Sequence, residues 1–317
     1  MARSSPTLDE LVRGVLAGER RLLARAITLV ESERAADEPK AAELLNRTAG
    51  AGASYRLGVS GTPGVGKSTF LERFGLRRTA QMRRVAVLAI DPSSRQSGGS
   101  ILGDKTRMAQ LSRDERAFIR PSPAGRTLGG IARKSYEAVL LCDAAGFDDV
   151  FVETVGVGQN ETLVADIVDE TLLLLQPRAG DGLQGIKRGI LEAADVVVIH
   201  KADGPLKEAA ETARVQLASA LRLMRGAPVP VLTCSSLTGD GLDELEALLN
   251  ERRTNQALEE RRREQAVRWM WRLAEERLLA WLRGEASDLE ASVRSGESPR
   301  GAAAELVARA LKRAEEP

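Results

Sequence analysis

The stretch that most restricts what this chain can fold into is GVSGTPGVGKST, residues 58–69. It follows a short apolar run, RLGVS (56–60), and leads into a segment with helical spacing. Gly61-x-x-x-x-Gly66-Lys67-Ser68 in a strand–loop–helix setting is the phosphate-loop pattern. Glycines at 61, 64 and 66 let backbone N–H groups converge on phosphate oxygens where side chains would block the approach. Thr62, Pro63, Val65 and Thr69 complete the cradle. Lys67 is placed to reach the β- and γ-phosphates and Ser68 to offer its hydroxyl to magnesium, while the following helix presents its positive end. The pattern predicts a bound nucleoside triphosphate.

Six further apolar runs recur between helix-like stretches: RVAVLAID (84–91), AFIR (117–120), DVFVET (149–154), TLLLLQ (171–176), DVVVIH (195–200) and VPVLTCS (229–235). Runs that are apolar on both faces and separated by amphipathic segments predict a parallel sheet covered by helices on both sides. The expected fold is therefore a doubly wound, mostly parallel α/β domain over 55–254, with ligands at the carboxyl ends of its strands. At 317 residues and 43% hydrophobic, the chain can bury such a core. Before it, TLDELVRGVLAGERRLLARAITLVES opens with a Thr7-to-Glu10 capping box and predicts a helical extension over 1–54. After it, residues 255–317 turn rich in Arg, Glu and Ala and predict a helical arm. Its residues Val267, Trp271, Ala274, Leu278 and Trp281 follow 4-3-4-3 spacing. Two readings of this stripe stay open: packing back onto the α/β domain, or burial against a second subunit.

The base-reading elements follow later strands. VVVIHKADG (196–204) holds the chain's single histidine, then Lys201 and Asp203. A carboxylate at 203 accepts from both N1–H and the 2-amino group of guanine. Adenine has no such donor pair and would leave the charge unmet, a loss of several kcal/mol. Lys201 can lay its stem over the base plane. His200 stands where GTPases carry asparagine, and a ring N–H can bond either a base acceptor or a phosphate-loop carbonyl, but not copy both amide contacts. The expected cost is about one hydrogen bond, ~1 kcal/mol, rather than a change of base. Ser235, Ser236 and Leu237, in TCSSLTGDGLDEL, are placed to offer backbone N–H groups to guanine O6; the alternative is an ordinary strand-to-helix turn capped by Asp240.

For the metal and the attacking water, Asp91 at the end of the second run and Glu153 at the end of the fourth project toward the triphosphate. Asp104 could return onto magnesium from the loop between, or remain a solvated loop charge. Asp91 is the first choice to orient the water, Glu153 to hold a magnesium-bound water, and Lys67 with magnesium to stabilise phosphoryl charge. Gly156 and Gly158 are free to approach the γ-phosphate. Arg107 and Arg126 are candidate arginine fingers without a fixed position, so hydrolysis is expected to be slow and to wait on a partner. Lys+Arg 46 against Asp+Glu 45 creates no field that would hold the chain on nucleic acid or an anionic membrane. Cys142 and Cys234 stand far apart, which fits reduced buried thiols. With no run near the ~20 apolar residues of a membrane span and no signal-peptide core, the expected compartment is the cytoplasm.

Together GTPGVGKST, VAVLAIDPSS, SGGSILGDKTRM, IRPSP, TLGGIARKS, ETVGVGQNE, LQGIK, KADG and RREQAVRWMW resemble the MeaB/ArgK/MMAA family of G-protein chaperones of adenosylcobalamin-dependent methylmalonyl-CoA mutase. The resemblance runs from about residue 8 into the last helices, and its one departure is His200 for asparagine. It implies a GTPase cycling between GTP and GDP that guards cofactor delivery to the mutase and helps eject damaged cofactor. It also implies Mg2+ near Ser68, Asp91, Asp104 and Glu153, and a homodimer through the helical extensions. GDGLQGIK (180–187) matches that family's additional switch loop, in which Asp181, Gln184 and Lys187 would couple nucleotide state to the mutase. Three alternatives stay open: a transport-associated protein kinase or ATPase, a metal-inserting GTPase, for which one histidine and two isolated cysteines supply few ligands, and a non-catalytic scaffold that merely binds nucleotide.

Overall fold

The computed structural model describes residues 6–90, 108–122, 128–154, 164–177 and 188–315. The chain divides into two compact units, Met1–Glu259 and Glu260–Pro317.

The first unit is built on seven strands: β1 Tyr55–Gly61, β2 Val85–Ile90, β3 Ala117–Ser122, β4 Asp149–Thr154, β5 Glu170–Leu175, β6 Val196–His200 and β7 Val231–Cys234. They form one sheet in the order β3-β2-β4-β1-β5-β6-β7, and every pairing is parallel. All seven apolar runs of the sequence are strands. Alternate residues of one strand enter opposite cores: Leu172, Leu174, Val196 and Val198 face one cluster, Leu173, Leu175, Val197 and Ile199 the other. This explains why the runs show no polar alternation. Helices α4 (Lys67–Ala80) and α8 (Leu242–Arg253) supply Phe70, Phe74, Leu245 and Leu249 to the first cluster. Helices α6 (Arg188–Ala193) and α7 (Lys207–Arg225) supply Ile190, Leu217 and Leu221 to the second.

Strand limits differ from the sequence runs at both edges of the sheet. β3 continues through Pro121, which lies opposite Ala89. The edge position tolerates a residue without an N–H. β7 begins at Val231, because Pro230 contributes only its carbonyl, which accepts from Val197 N at 2.9 Å.

Helices α1 (Leu8–Leu16), α2 (Arg20–Val30) and α3 (Glu38–Thr48) pack on one another and on α5 (Leu128–Ala144), within the first unit. The capping box at α1 is formed: Thr7 N donates to Glu10 Oε2 at 2.7 Å and Glu10 N to Thr7 Oγ1 at 3.2 Å. Glu31 after α2 pairs with Arg120 of β3, fastening that helix to the sheet, and Glu33 pairs with Lys134 of α5.

The second unit contains α10 (Ser287–Arg294), α11 (Pro299–Glu315) and most of α9 (Ala257–Glu285). Val267, Trp271, Ala274, Leu278 and Trp281 of α9 are not buried within it, and Val267, Trp271, Leu278 and Trp281 are exposed. An open apolar groove of about 530 Å³ is lined by Leu279, Leu282, Leu289, Val293, Ala302 and Leu306. No helix among the described residues is long and apolar enough to cross a membrane.

Candidate nucleotide site

β1 lies between β4 and β5 at the centre of the sheet. Its carboxyl end opens into the 61–68 loop, and Gly66 starts α4 from the left-handed region at φ 100°. A side chain at Gly66 would be strained by that backbone, and its Cβ would lie 2.8 Å from His200 Cε1. At Gly61 a Cβ would come 2.5 Å from the Leu174 carbonyl. Both glycines are thus required by neighbouring strands as well as by any phosphate. Lys67 is buried, and its Nζ donates to Gly61 O at 2.7 Å, so the ammonium is folded over the loop.

Glu153, 4% exposed, is the penultimate residue of β4, opposite Val59 of β1. Ser68 Oγ donates to Glu153 Oε1 at 3.0 Å. Two residues singled out as magnesium ligands therefore meet at one edge of the cradle, and a hydroxyl beside a carboxylate is the hard-oxygen chemistry Mg2+ takes. Asp91 and Asp104, the other two, lie outside the described residues, as do Gly156, Gly158, Asp181, Gln184, Lys187, Arg107 and Arg126. Among the described residues no group of three or more His, Cys, Asp or Glu side chains is arranged to hold a metal ion.

The loop expected to read the base leaves β6 at His200. Lys201 takes a positive φ of 62°, and its Nζ donates to Gly64 O at 2.8 Å, so its stem bridges the two loops. Ala202 N donates to Cys234 O at 3.0 Å, which ties the turn to β7. Asp203 accepts a short hydrogen bond from Ser235 Oγ. That hydroxyl oxygen in turn accepts from Leu237 N and Thr238 N at 3.1 and 3.2 Å. The carboxylate is thereby held by the very loop expected to meet guanine O6.

His200 is 2% exposed and bridges three elements. Its Nδ1 lies 2.8 Å from Val65 O and its Nε2 2.7 Å from Ser236 Oγ. A carbonyl only accepts, so Nδ1 carries the proton and Nε2 accepts from the Ser236 hydroxyl. Phe70 meets the ring edge-on at 6.1 Å between centroids. Burial pushes the imidazole below its ordinary value of 6.5. The Val65 hydrogen bond and Asp203 pull it upward, and Lys201 adds to the lowering. Of the two partners open to this residue from sequence, the structure selects the phosphate-loop carbonyl. Across the register, the Cys234 thiol is pushed up to about 12 by burial. Cys142 is buried too, and both cysteines are free.

Two features differ from or exceed the sequence reading. Helix α8 starts from Gly241, at φ 74°, and not from an Asp240 cap: a Cβ there would lie 2.0 Å from Thr233 O. Asp240 instead uses its backbone carbonyl to accept from Ser235 N at 2.9 Å. Gln176, just past β5, donates to Gly64 O at 3.1 Å. The only sequence signal for it was a polar residue ending an apolar strand beside β1.

Residues 23–287 match the sequence family described as methylmalonyl-CoA mutase-associated GTPase MeaB. A protein of Caulobacter vibrioides is 50% identical over 315 residues, covering 95% of this chain and 96% of its own. GTPase ArgK of Escherichia coli is 46% identical over 282 residues, covering 86% of this chain and 85% of its own. The crystal structure of a LAO/AO transport system kinase is similar at a TM-score of 0.75 and 36% identity, over 98% of this chain and 100% of that one.

Proposed function

Because the chain belongs to the family of methylmalonyl-CoA mutase-associated GTPases MeaB, we propose that it hydrolyses GTP to GDP and phosphate as a chaperone of an adenosylcobalamin-dependent methylmalonyl-CoA mutase. In this reading hydrolysis gates cofactor delivery and protects or reactivates the mutase. The chain itself is a P-loop GTPase of that family. The observation that carries the reading is the convergence of Asp203, held by Ser235, with the Gly61–Ser68 cradle at the carboxyl ends of the strands.

In this reading each residue takes one role. Asp203 reads the N1–H and 2-amino edge of guanine, Lys201 covers the ring, and of the Ser235–Leu237 loop the Ser236 backbone N–H meets O6, since Ser235 N donates to Asp240 O and Leu237 N to Ser235 Oγ. Backbone N–H groups of 61–69 and the Lys67 ammonium stabilise negative charge on the phosphoryl oxygens. Ser68 and Glu153, with Asp91 and Asp104, would hold Mg2+, which when bound neutralises the phosphate oxygens. Asp91 orients the attacking water. Asp181, Gln184 and Lys187 couple nucleotide state to the mutase, the 255–317 arm joins two copies into a homodimer, and 1–54 and 55–254 form the helical extension and GTPase parts. The site of action is the cytoplasm.

The test is to co-purify the chain with candidate cobalamin-dependent mutases and to measure phosphate release from GTP with and without each. Stimulation by a single mutase, absent in Lys67→Ala, supports the reading; slow turnover indifferent to every mutase overturns it. The kinase description of the similar crystal structure favours a second reading. Radiolabelled GTP leaving γ-phosphate on a partner side chain would support that one instead.

A further inference from the structure

His200 occupies a place where an amide side chain could serve two loops and a ligand at once. Asparagine has two N–H donors and a carbonyl on separate atoms, so one donor can satisfy a loop carbonyl while another faces the base. A neutral imidazole has one N–H and one lone pair. Here the N–H is directed at Val65 O, 2.8 Å away, and the lone pair at the Ser236 hydroxyl, 2.7 Å away. The ring cannot swing aside: it is 2% exposed, Phe70 packs edge-on against it, and Gly66 leaves no more space than a missing Cβ. The major-groove edge of guanine presents N7 and O6, both acceptors. A ring whose single proton is already committed has nothing to donate to either.

We propose that His200 is a positioning residue that latches the base-reading loop and the Ser236 loop to the phosphate loop, leaving purine N7 unread, so that the base is recognised at its Asp203 edge. The latch joins 65, 200 and 236, and the Ala202–Cys234 and Ser235–Asp203 hydrogen bonds carry its rigidity to the carboxylate. This rests on the guanine reading given above.

The experiment is equilibrium calorimetry of the full chain with Mg2+ and three probes: GDP, 7-deaza-GDP and ADP. The wild-type protein is expected to bind GDP and 7-deaza-GDP within about two-fold of one another. His200→Asn regains a spare donor and is expected to prefer GDP over 7-deaza-GDP by about five-fold, the value of one neutral hydrogen bond. Ser236→Ala, which opens the latch at its far end, is expected to weaken both nucleotides about five-fold while leaving their ratio near one. A wild-type preference for GDP over 7-deaza-GDP of about five-fold or more, or a His200→Asn protein with no preference, overturns the assignment. Should His200→Asn fail to fold, a preference for GDP over 7-deaza-GDP emerging in Ser236→Ala overturns it equally. The ADP arm separates the two claims: ADP bound as tightly as GDP sinks the guanine reading, whatever the 7-deaza ratio.

Discussion

At the scale of single residues, the chemistry is decided by where protons sit. Asp203 Oδ2 accepts from the Ser235 hydroxyl. Changing it to asparagine exchanges one acceptor for a donor, which matches xanthine, whose C2 carries a carbonyl, and mismatches guanine. Asp203→Asn is expected to lose about 100-fold in GTP affinity and to bind xanthosine triphosphate better than GTP, by competition titration. His200 sets a different proton balance. Its folded-state value lies below the ordinary 6.5, chiefly through burial. Below about pH 6.5 the unfolded chain therefore binds a proton that the folded ring refuses, so stability present above that pH declines as pH falls, until the folded ring protonates as well. Urea midpoints measured from pH 8 to pH 5 should fall more steeply for the wild type than for His200→Asn. Equal slopes would show that the ring takes up its proton in the fold as readily as in the unfolded chain.

At the scale of elements, the end of the sheet remote from the nucleotide is fastened by ions. Asp149, the first residue of β4, is 1% exposed and meets Arg78 of α4 at 3.1 Å, Arg83 at 2.7 Å and Arg253 of α8 at 3.3 Å. Arg78 also reaches Glu246 of α8 at 2.8 Å. Replacing such a network by apolar groups can be neutral, but removing one member leaves buried charge uncompensated. Asp149→Ala takes away the carboxylate that three guanidinium groups share and is expected to cost about 3–5 kcal/mol in denaturant titration. The other end of the same strand, where Glu153 meets Ser68, should be spared: nucleotide affinity of the folded variant is expected to stay within about two-fold of wild type. The elements themselves were readable because each follows a local period. Both-face apolar runs became strands, and Thr7 with Glu10 became a cap. What local period could not supply was where a run stops: Pro121 fits a strand only because β3 is an edge, and Gly241 starts α8 only because Thr233 crowds it.

At the scale of the whole molecule, the exposed stripe Val267, Trp271, Leu278 and Trp281 carries the proposed dimer. Trp271→Glu places a charge in that seam, and sedimentation is expected to move from dimer to monomer with turnover per site little changed; a wild-type protein already monomeric at micromolar concentration would sink the dimer. The sequence alone determined the sheet class, the phosphate-loop pattern and the family, since each is written in residue types a few positions apart. Tertiary structure alone decided the strand order, the meeting of Ser68 with Glu153 from 85 residues away, and the hydrogen bonds of His200 across 135 and 36 residues. It also brought in Gln176, 112 residues from the Gly64 carbonyl it binds. The physical reason is range. Secondary structure and loop chemistry follow from neighbours along the chain, whereas a tautomer or a ligand pair is set by atoms brought together only when the sheet closes its order around β1.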